Sequence, residues 1–347
     1  MAEGVAQGWT AVDRPVRVLV TGAGGPSAVG VIRSLAREPR VALHAADIDP
    51  NAAGLYLVPV DRRVLLPRGD EPGFADTLLE WCRASGIDVL FPTVDQELLA
   101  VARARASFAA AGVAVVLADA RALATCLDKW ALYQACVGRL PVPRTALLDD
   151  GFEARAWDGP VVVKPRRGSG SRGVRVVDDA ALLDDLPRDA SLLVQELLPG
   201  VEHSLDVLAS PTGTVGAVVP RLRLKVDSGI AVAARTVHDA ALVELGRDVV
   251  RTIGLGWVSN VQVRADRKGR PRLLEVNPRF PGSMSLTIEA GIDMPRICLA
   301  MALGAPMPAT DAFREVAMVR YLEERFVDAA ELDANPRAAL PPVVAVP

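Results

Sequence analysis

The chain has 347 residues, enough for two or three domains, with half of them hydrophobic and a formal net charge of −3. Arg, Asp or Glu breaks every long apolar stretch, so neither a membrane span nor a membrane partner is expected, and the charge gives no reason to expect nucleic acid. Four scattered cysteines (Cys82, Cys126, Cys136, Cys298) without CxxC spacing argue against a zinc site or a disulfide framework, leaving the expectation of a soluble cytoplasmic protein.

Residues 1–14 read as a loose leader that lacks the basic flank and apolar segment of a signal peptide. An apolar strand over 17–21 runs into Gly22-Ala23-Gly24-Gly25-Pro26, then a helix over 31–37 and a strand over 41–47. A helix over 74–84, a strand over 87–91, a helix over 96–111 and a strand over 113–117 continue the alternation. Strands alternating with helices imply a parallel, doubly wound sheet. The glycine cluster, with Asp47 at roughly Rossmann distance, invites a nicotinamide reading. Its spacing is irregular, however, and Pro26 lacks an N–H where a pyrophosphate would be met. The plainer alternative is that these glycines let the first helix pack closely on the sheet.

Beyond residue 120 the pattern changes to short strands over 161–164, 172–177, 192–195 and 205–208, separated by Gly, Pro and Asp clusters, as in an α+β domain. Within 161–174, a basic Gly/Ser loop joins two strands. Such a loop can lie over phosphate oxygens and donate backbone N–H groups while Lys164 supplies charge; the alternative is a hairpin tip with solvated arginines. In 193–202, Glu196 precedes a Pro-Gly turn and Glu202 follows it. The segment is either an adenosine pocket, with the peptide groups of 196–198 at adenine and Glu202 at ribose, or a pair of surface acids. Residues 220–229 alternate basic and apolar, so one strand face carries Arg221, Arg223 and Lys225, with Arg235 able to join them. That face either holds a substrate carboxylate or γ-phosphate, or is solvated. A helix follows over 236–253, with Asp239 near its start, and the Pro- and Ala-rich end of the chain reads as a peripheral tail.

The most informative segment is Leu273-Leu274-Glu275-Val276-Asn277-Pro278-Arg279. In an extended strand, side chains at i and i+2 share a face, so Glu275 and Asn277 aim at one spot. Both are hard oxygen ligands suited to Mg²⁺. Pro278 ends the ladder and Arg279 adds a fixed charge just beyond. Residues 260–263 read as the neighbouring strand, which would bring Gln262 beside the same metal.

Taken in order, Leu127-Asp128-Lys129-Trp130, Val163-Lys164-Pro165 with its Gly/Ser loop, Gln195-Glu196 through Glu202, Gln262 and Glu275-Val276-Asn277-Pro278-Arg279 resemble the ATP-grasp superfamily. The likeness covers roughly residues 16–326, and within the superfamily the chain looks like the branch near the carbamoyl phosphate synthetase large subunit and the stand-alone carboxylate–amine ligases. It implies an α/β, Rossmann-like pre-ATP-grasp domain (15–120), followed by an α+β ATP-grasp fold. That fold would comprise a mobile lid subdomain (121–195) and a C-terminal subdomain with the metal site (196–326), before the tail (327–347). The resemblance also assigns Lys129, Lys164 and the lid loop, with Gly168, Ser169, Gly170, Ser171 and Gly173, to the phosphates of ATP. Glu196, Leu197 and Leu198 fall at adenine, and Glu202 at ribose. Gln262, Glu275 and Asn277 fall at one or two Mg²⁺ ions, and Arg279 acts with Lys164 on the transferred phosphate. Many relatives place two acids at the metal, whereas Gln262 stands in the first position here.

The reaction so implied is ADP-forming: a small carboxylate, such as an amino acid, becomes an acyl phosphate and is coupled to an amine. The resemblance allows a homodimer. Two alternatives stay open at this stage. One is phosphorylation of carbamate or bicarbonate, and the other is an NAD-dependent oxidoreductase or a non-catalytic nucleotide-binding module.

Overall fold

The computed structural model describes residues 14–157, 159–168, 170–178, 183, 186–308, 310 and 312–333. Most of the anticipated leader, Ser169 of the loop and the last part of the tail lie outside them. The first strands are β1 (Val16–Thr21), β2 (Val41–Asp47), β3 (Arg63–Leu65), β4 (Val89–Phe91) and β5 (Ala114–Val115). They pair in parallel in the order β3-β2-β1-β4-β5. The order reverses between β1 and β4, so the loops leaving their carboxyl ends diverge and open a crevice, the usual ligand position in such sheets.

Helices α1 (Pro26–Leu35), α2 (Phe74–Ser85), α3 (Asp95–Arg103) and α4 (Arg105–Ala110) accompany this sheet. The first begins five residues earlier than expected because Pro26 occupies the opening turn, where its fixed φ is already helical and no N–H is missed. The helix expected over 96–111 is interrupted at Ala104, whose ψ of 4° leaves the helical region. Two further helices, α5 (Ala120–Leu127) and α6 (Lys129–Cys136), were not anticipated. Asp128 sits between them and caps α6 by accepting from the amides of Trp130 and Ala131.

A second, antiparallel sheet comprises β6 (Thr145–Asp149), β7 (Val161–Pro165), β8 (Arg175–Val177) and β9 (Asp189–Glu196), in the order β6-β9-β7-β8. Its interior is small: Leu148, Val161, Val163, Leu183 and Val194. The third sheet is antiparallel and larger. It contains β10 (Glu202–Ala209), β11 (Val215–Asp227), β12 (Ile230–Thr236), β13 (Trp257–Ala265), β14 (Pro271–Asn277) and β15 (Ala317–Val319), in the order β14-β13-β10-β11-β12-β15.

Helix α7 (Ala240–Ile253) buries Leu242, Leu245, Gly246, Val249 and Val250, the i, i+3, i+4, i+7, i+8 stripe of an amphipathic helix. It starts at Asp239, which accepts from the amides of Ala241 and Leu242. The expected start at Thr236 was too early because that residue still pairs with Arg221 in the sheet. Helices α8 (Met284–Glu289) and α9 (Met294–Ala302) pack near α1. The two large cores are each shared between the parallel sheet and the third sheet. One joins Leu90 and Leu98 to Leu205 and Val261, and the other joins Val18 and Phe91 to Val219 and Phe280. No helix among the described residues is long and apolar enough to cross a membrane.

Candidate functional site

One face of the third sheet is apolar and carries Leu205, Val207, Val261, Val263 and Val276 into the core beneath α7. Alternation therefore sends the intervening residues to the other face. In register, Glu275 lies opposite Gln262, Gln262 opposite Ser204 and Ser204 opposite Arg221; Asn277 lies opposite Asn260, and Asn260 opposite Asp206. The result is a polar ladder across four strands, facing the crevice of the parallel sheet. Between the two lies a cleft of about 710 Å³. Its N-terminal wall includes Gly22, Gly24, Asp47, Asp95 and Glu97, and its opposite wall includes Arg223, Gln262, Glu275, Asn277 and Arg279. A smaller pocket of about 190 Å³ adjoins it, where Lys129 and Gly168 meet Glu275, Asn277, Asp95 and Gln96.

Glu275 and Asn277 share a face, as strand geometry requires, and the Asn277 amide lies 3.5 Å from Glu275 Oε1. Glu275 is the only carboxylate of the proposed ligand set. Among the described residues no group of three or more His, Cys, Asp or Glu side chains can hold a metal. The donor set nevertheless fits Mg²⁺, which is commonly held by one or two carboxylates together with substrate phosphates and water. Gln262 is less free than expected: its Oε1 lies 3.3 Å from Arg223 Nη1.

Lys164 is buried on β7 and donates to Gln195 Oε1 at 2.9 Å, while Gln195 donates in turn to Thr145 Oγ1 at 2.8 Å. Burial pushes the Lys164 ammonium down to about 8; the Glu275 charge opposes that shift and Lys129 adds to it. Lys129 Nζ donates to the Gly168 carbonyl at 2.6 Å, so it already touches the Gly/Ser loop. That loop carries less uncompensated charge than its three arginines suggested. Asp128 binds Arg166 Nε at 2.8 Å and Arg167 Nη2 at 3.3 Å, so two of the three have a counter-charge within the protein.

The loop tip reaches the third sheet at Gly229, where an added Cβ would stand 3.0 Å from Gly170 Cα. Gly229 has φ +80°, a region that favours glycine, and Arg223 Nη2 holds its carbonyl at 2.8 Å. Gly170 and Ser171 line the large cleft, whereas exposed Gly173 does not.

The expected basic face on β11 is only half formed. Arg221 and Arg223 line the cleft, but the register shifts between Arg223 and Lys225, and Lys225 turns out to solvent. A bulge changes which face a strand residue occupies, so simple alternation failed there. Arg235 pairs with Leu222 and is exposed, on the face opposite Arg221. Arg221 is fully buried and donates to Asp206 Oδ1 at 2.5 Å; Asp206 also accepts from Asn260 at 2.8 Å and Thr287 at 2.5 Å. That network supports the floor of the cleft, and Asp206 and Thr287 carried no sequence signal for it.

Glu196, Leu197, Leu198 and Glu202 do not line the cleft; they lie around the connection from β9 to β10, and Glu202 reaches it only through Arg223. Residues 197–199 belong to neither sheet, which leaves peptide groups there outside any strand ladder. Glu202 is bound by Arg223 and lies 3.9 Å from Arg264. Arg279 is likewise engaged, in a two-pronged pair with Asp95 at 2.7 and 3.1 Å.

The N-terminal glycine loop spends its polar groups internally. Gly24 N–H donates to Asp47 Oδ2 at 2.7 Å, and Gly25 N–H donates to the Gly22 carbonyl at 2.9 Å. A Cβ on Gly22, which has φ +64°, would meet Val94 Cγ2 at 2.1 Å, so close packing accounts for this glycine. Beside the loop, Glu97 is buried. Burial pushes its carboxyl up to about 7, against hydrogen bonds to Oε1 from Thr21 Oγ1 and the amides of Thr93 and Val94.

Residues 18–116 match the family described as "PylC-like, N-terminal domain", and residues 188–325 match "ATP-grasp in the biosynthetic pathway with Ter operon". A D-alanine–D-alanine ligase of Thermotoga maritima is 31% identical over 119 residues, covering 33% of this chain and 39% of the relative. The vancomycin/teicoplanin A-type resistance protein VanA of Enterococcus faecium is 27% identical over 224 residues, covering 55% of this chain and 64% of that protein. The chain therefore spans less than two thirds of the length of these curated relatives. Among solved structures, carboxyaminoimidazole ribonucleotide synthase of Aspergillus clavatus, complexed with ATP, superposes with a TM-score of 0.70 at 18% identity. That alignment covers 88% of this chain and 81% of the synthase, a shared fold. The PylC-like match over the parallel sheet and the ATP-grasp match over the third sheet, whose polar face meets the crevice of the first, together give the chain the ATP-grasp fold.

Proposed function

We propose that this protein is an ATP-dependent carboxylate–amine ligase. The observation that carries the reading is the smaller pocket: Lys129 and the lid-loop residue Gly168 face Glu275 and Asn277 there, directly beside the cleft lined by Arg279. ATP would lay its phosphates along this pocket under the loop, with its adenosine toward residues 196–202. Lys129 and Lys164 would supply positive charge. Glu275 and Asn277, with Gln262 adjacent, would hold Mg²⁺, which when bound neutralises charge on the β- and γ-phosphates.

The substrate carboxylate would attack the γ-phosphorus from the large cleft, breaking the bond to ADP and forming an acyl phosphate. Arg279 would stabilise the oxygens of the moving phosphoryl group. An amine would then attack the acyl carbon, losing a proton as the C–N bond forms and phosphate leaves. Acyl phosphates hydrolyse readily, so closure of the 168–173 loop over the site would serve to exclude water. The similarity to D-alanine–D-alanine ligase favours an amino acid as the activated acid. The test is to screen amino acids and small carboxylates, singly and in pairs, for ADP release, with bicarbonate and NADH as separate arms. ADP release that requires an acid together with an amine supports the reading. Release with bicarbonate alone favours carbamoyl-type chemistry, and NADH binding without ADP release overturns it.

The buried Lys164 gives this reading a pH signature. Its lowered value means that the free protein loses the ammonium as pH rises through about 8, whereas bound phosphate would restore it. KM for ATP is therefore expected to rise between pH 8 and 10, and Lys164→Met should show a higher but flat KM over that range. Folding has the opposite dependence on pH. The cost of burying the charge is present below pH 8 and vanishes as pH approaches the ordinary lysine value, so this group raises stability over that interval. A wild-type KM for ATP that does not change with pH would place Lys164 away from the phosphates.

A further inference from the structure

We infer that Asp95, on the N-terminal domain, is the positioning residue for Arg279. The inference rests on the ligase reading and adds a component supplied by the parallel-sheet domain. Asp95 opens α3, and a carboxylate is favoured at a helix N-terminus. The turn that carries it is held rigidly. Glu97 Oε1 accepts from the amides of Thr93 and Val94 and from Thr21 Oγ1, and Thr93 Oγ1 donates to the Thr21 carbonyl at 2.7 Å. Arg279, by contrast, follows a strand that ends at Asn277 and has only a short stretch before Phe280 enters the core. Its guanidinium needs an outside anchor.

Asp95 provides one across 184 residues of chain: Oδ1 accepts from Nε at 2.7 Å and Oδ2 from Nη2 at 3.1 Å. Both side chains are more than four-fifths buried, so the pair is little screened by solvent.

Donor arithmetic distinguishes an anchor from a competitor. A guanidinium has five N–H donors. Asp95 takes the Nε hydrogen and one on Nη2, and the Phe280 carbonyl takes one on Nη1 at 3.2 Å. One hydrogen on Nη1 and one on Nη2 remain, on a group that lines the cleft. Arg279 can thus grip two phosphoryl oxygens without releasing Asp95. The carboxylate fixes the plane of the fork, and a fork fixed before the reaction needs no reorganisation during it.

The test is a double-mutant cycle on the full chain, read as kcat and KM for ATP in ADP release, with thermal unfolding to check the fold. Asp95→Ala is expected to lower kcat by about 10- to 100-fold, the range for losing an orienting partner. KM for ATP should change by less than about threefold. Asp95→Asn, which keeps one acceptor oxygen, should fall between wild type and Asp95→Ala, and carries the test if the alanine variant does not fold. In an Arg279→Ala background, Asp95→Ala should lower kcat no further, because its effect passes through the missing guanidinium. Additive losses, or normal kcat in a folded Asp95→Ala variant, overturn the inference. If wild type releases no ADP with any acid and amine, the ligase reading itself falls, and the positioning role with it.

Discussion

Replacing Arg279 by alanine is expected to lower kcat and kcat/KM together, by on the order of 10²–10³, the loss seen when one preorganised oxyanion donor is removed. The expectation follows from where the charge sits. Arg279 lines the cleft beside Glu275 and Asn277, and its planar fork suits two oxygens of a phosphoryl group in flight. KM for ATP should change little, because Lys129, Lys164 and the loop remain. The substitution also leaves Asp95 without its partner in a largely buried position, so some loss of stability is expected alongside. Thermal unfolding separates the two effects. Arg279→Lys restores a charge but not the two-pronged geometry, and should recover stability better than turnover. Near-normal turnover with only a raised KM for ATP would reassign Arg279 to ground-state binding.

Glu275 is the other position where a single atom change should be severe. Glu275→Gln keeps the shape and removes the only carboxylate of the proposed metal set, costing several kcal/mol of charge stabilisation, or roughly 10³-fold in turnover. The Mg²⁺ concentration needed for half-maximal activity should rise as well. A further consequence concerns Lys164, whose ammonium is supported by the Glu275 charge. With glutamine in place the lysine should lose its proton at lower pH, so the rise in KM for ATP should begin below pH 8. An active Glu275→Gln enzyme with an unchanged Mg²⁺ requirement would remove Glu275 from the metal site.

What could be read in advance divides along physical lines. The shared face of Glu275 and Asn277 was legible because strand geometry alone dictates it. The parallel pairing of the first sheet was legible from its alternating elements, though not its strand order, and α7 was legible apart from its start, which is Asp239 and not Thr236. The basic strand was legible only to its bulge: Arg221 and Arg223 face the cleft, whereas Lys225 and Arg235 do not, because local register depends on how the Ser228-Gly229 turn is closed. Pairings between distant segments left no trace. Nothing local in the sequence marks Asp95 for Arg279, or Asp128 for Arg166 and Arg167, since each contact joins elements far apart in the chain and exists only once they have packed. Asp128 was visible within its motif, but nothing local there marked it as the counter-charge of the loop.

The second sheet stands apart in its interior. The parallel sheet and the third sheet share their two large cores, whereas β6–β9 close around a handful of residues of their own. Tilting the second sheet away would leave the two large shared cores intact, and the contacts to be broken include the polar ones of Lys129 to Gly168 and Asp128 to the arginines, with the close approach of Gly170 to Gly229. On the ligase reading, departure of ADP and of the amide would then be fast without the protein being weak, because the pace of turnover and the durability of the fold are drawn from separate sets of contacts.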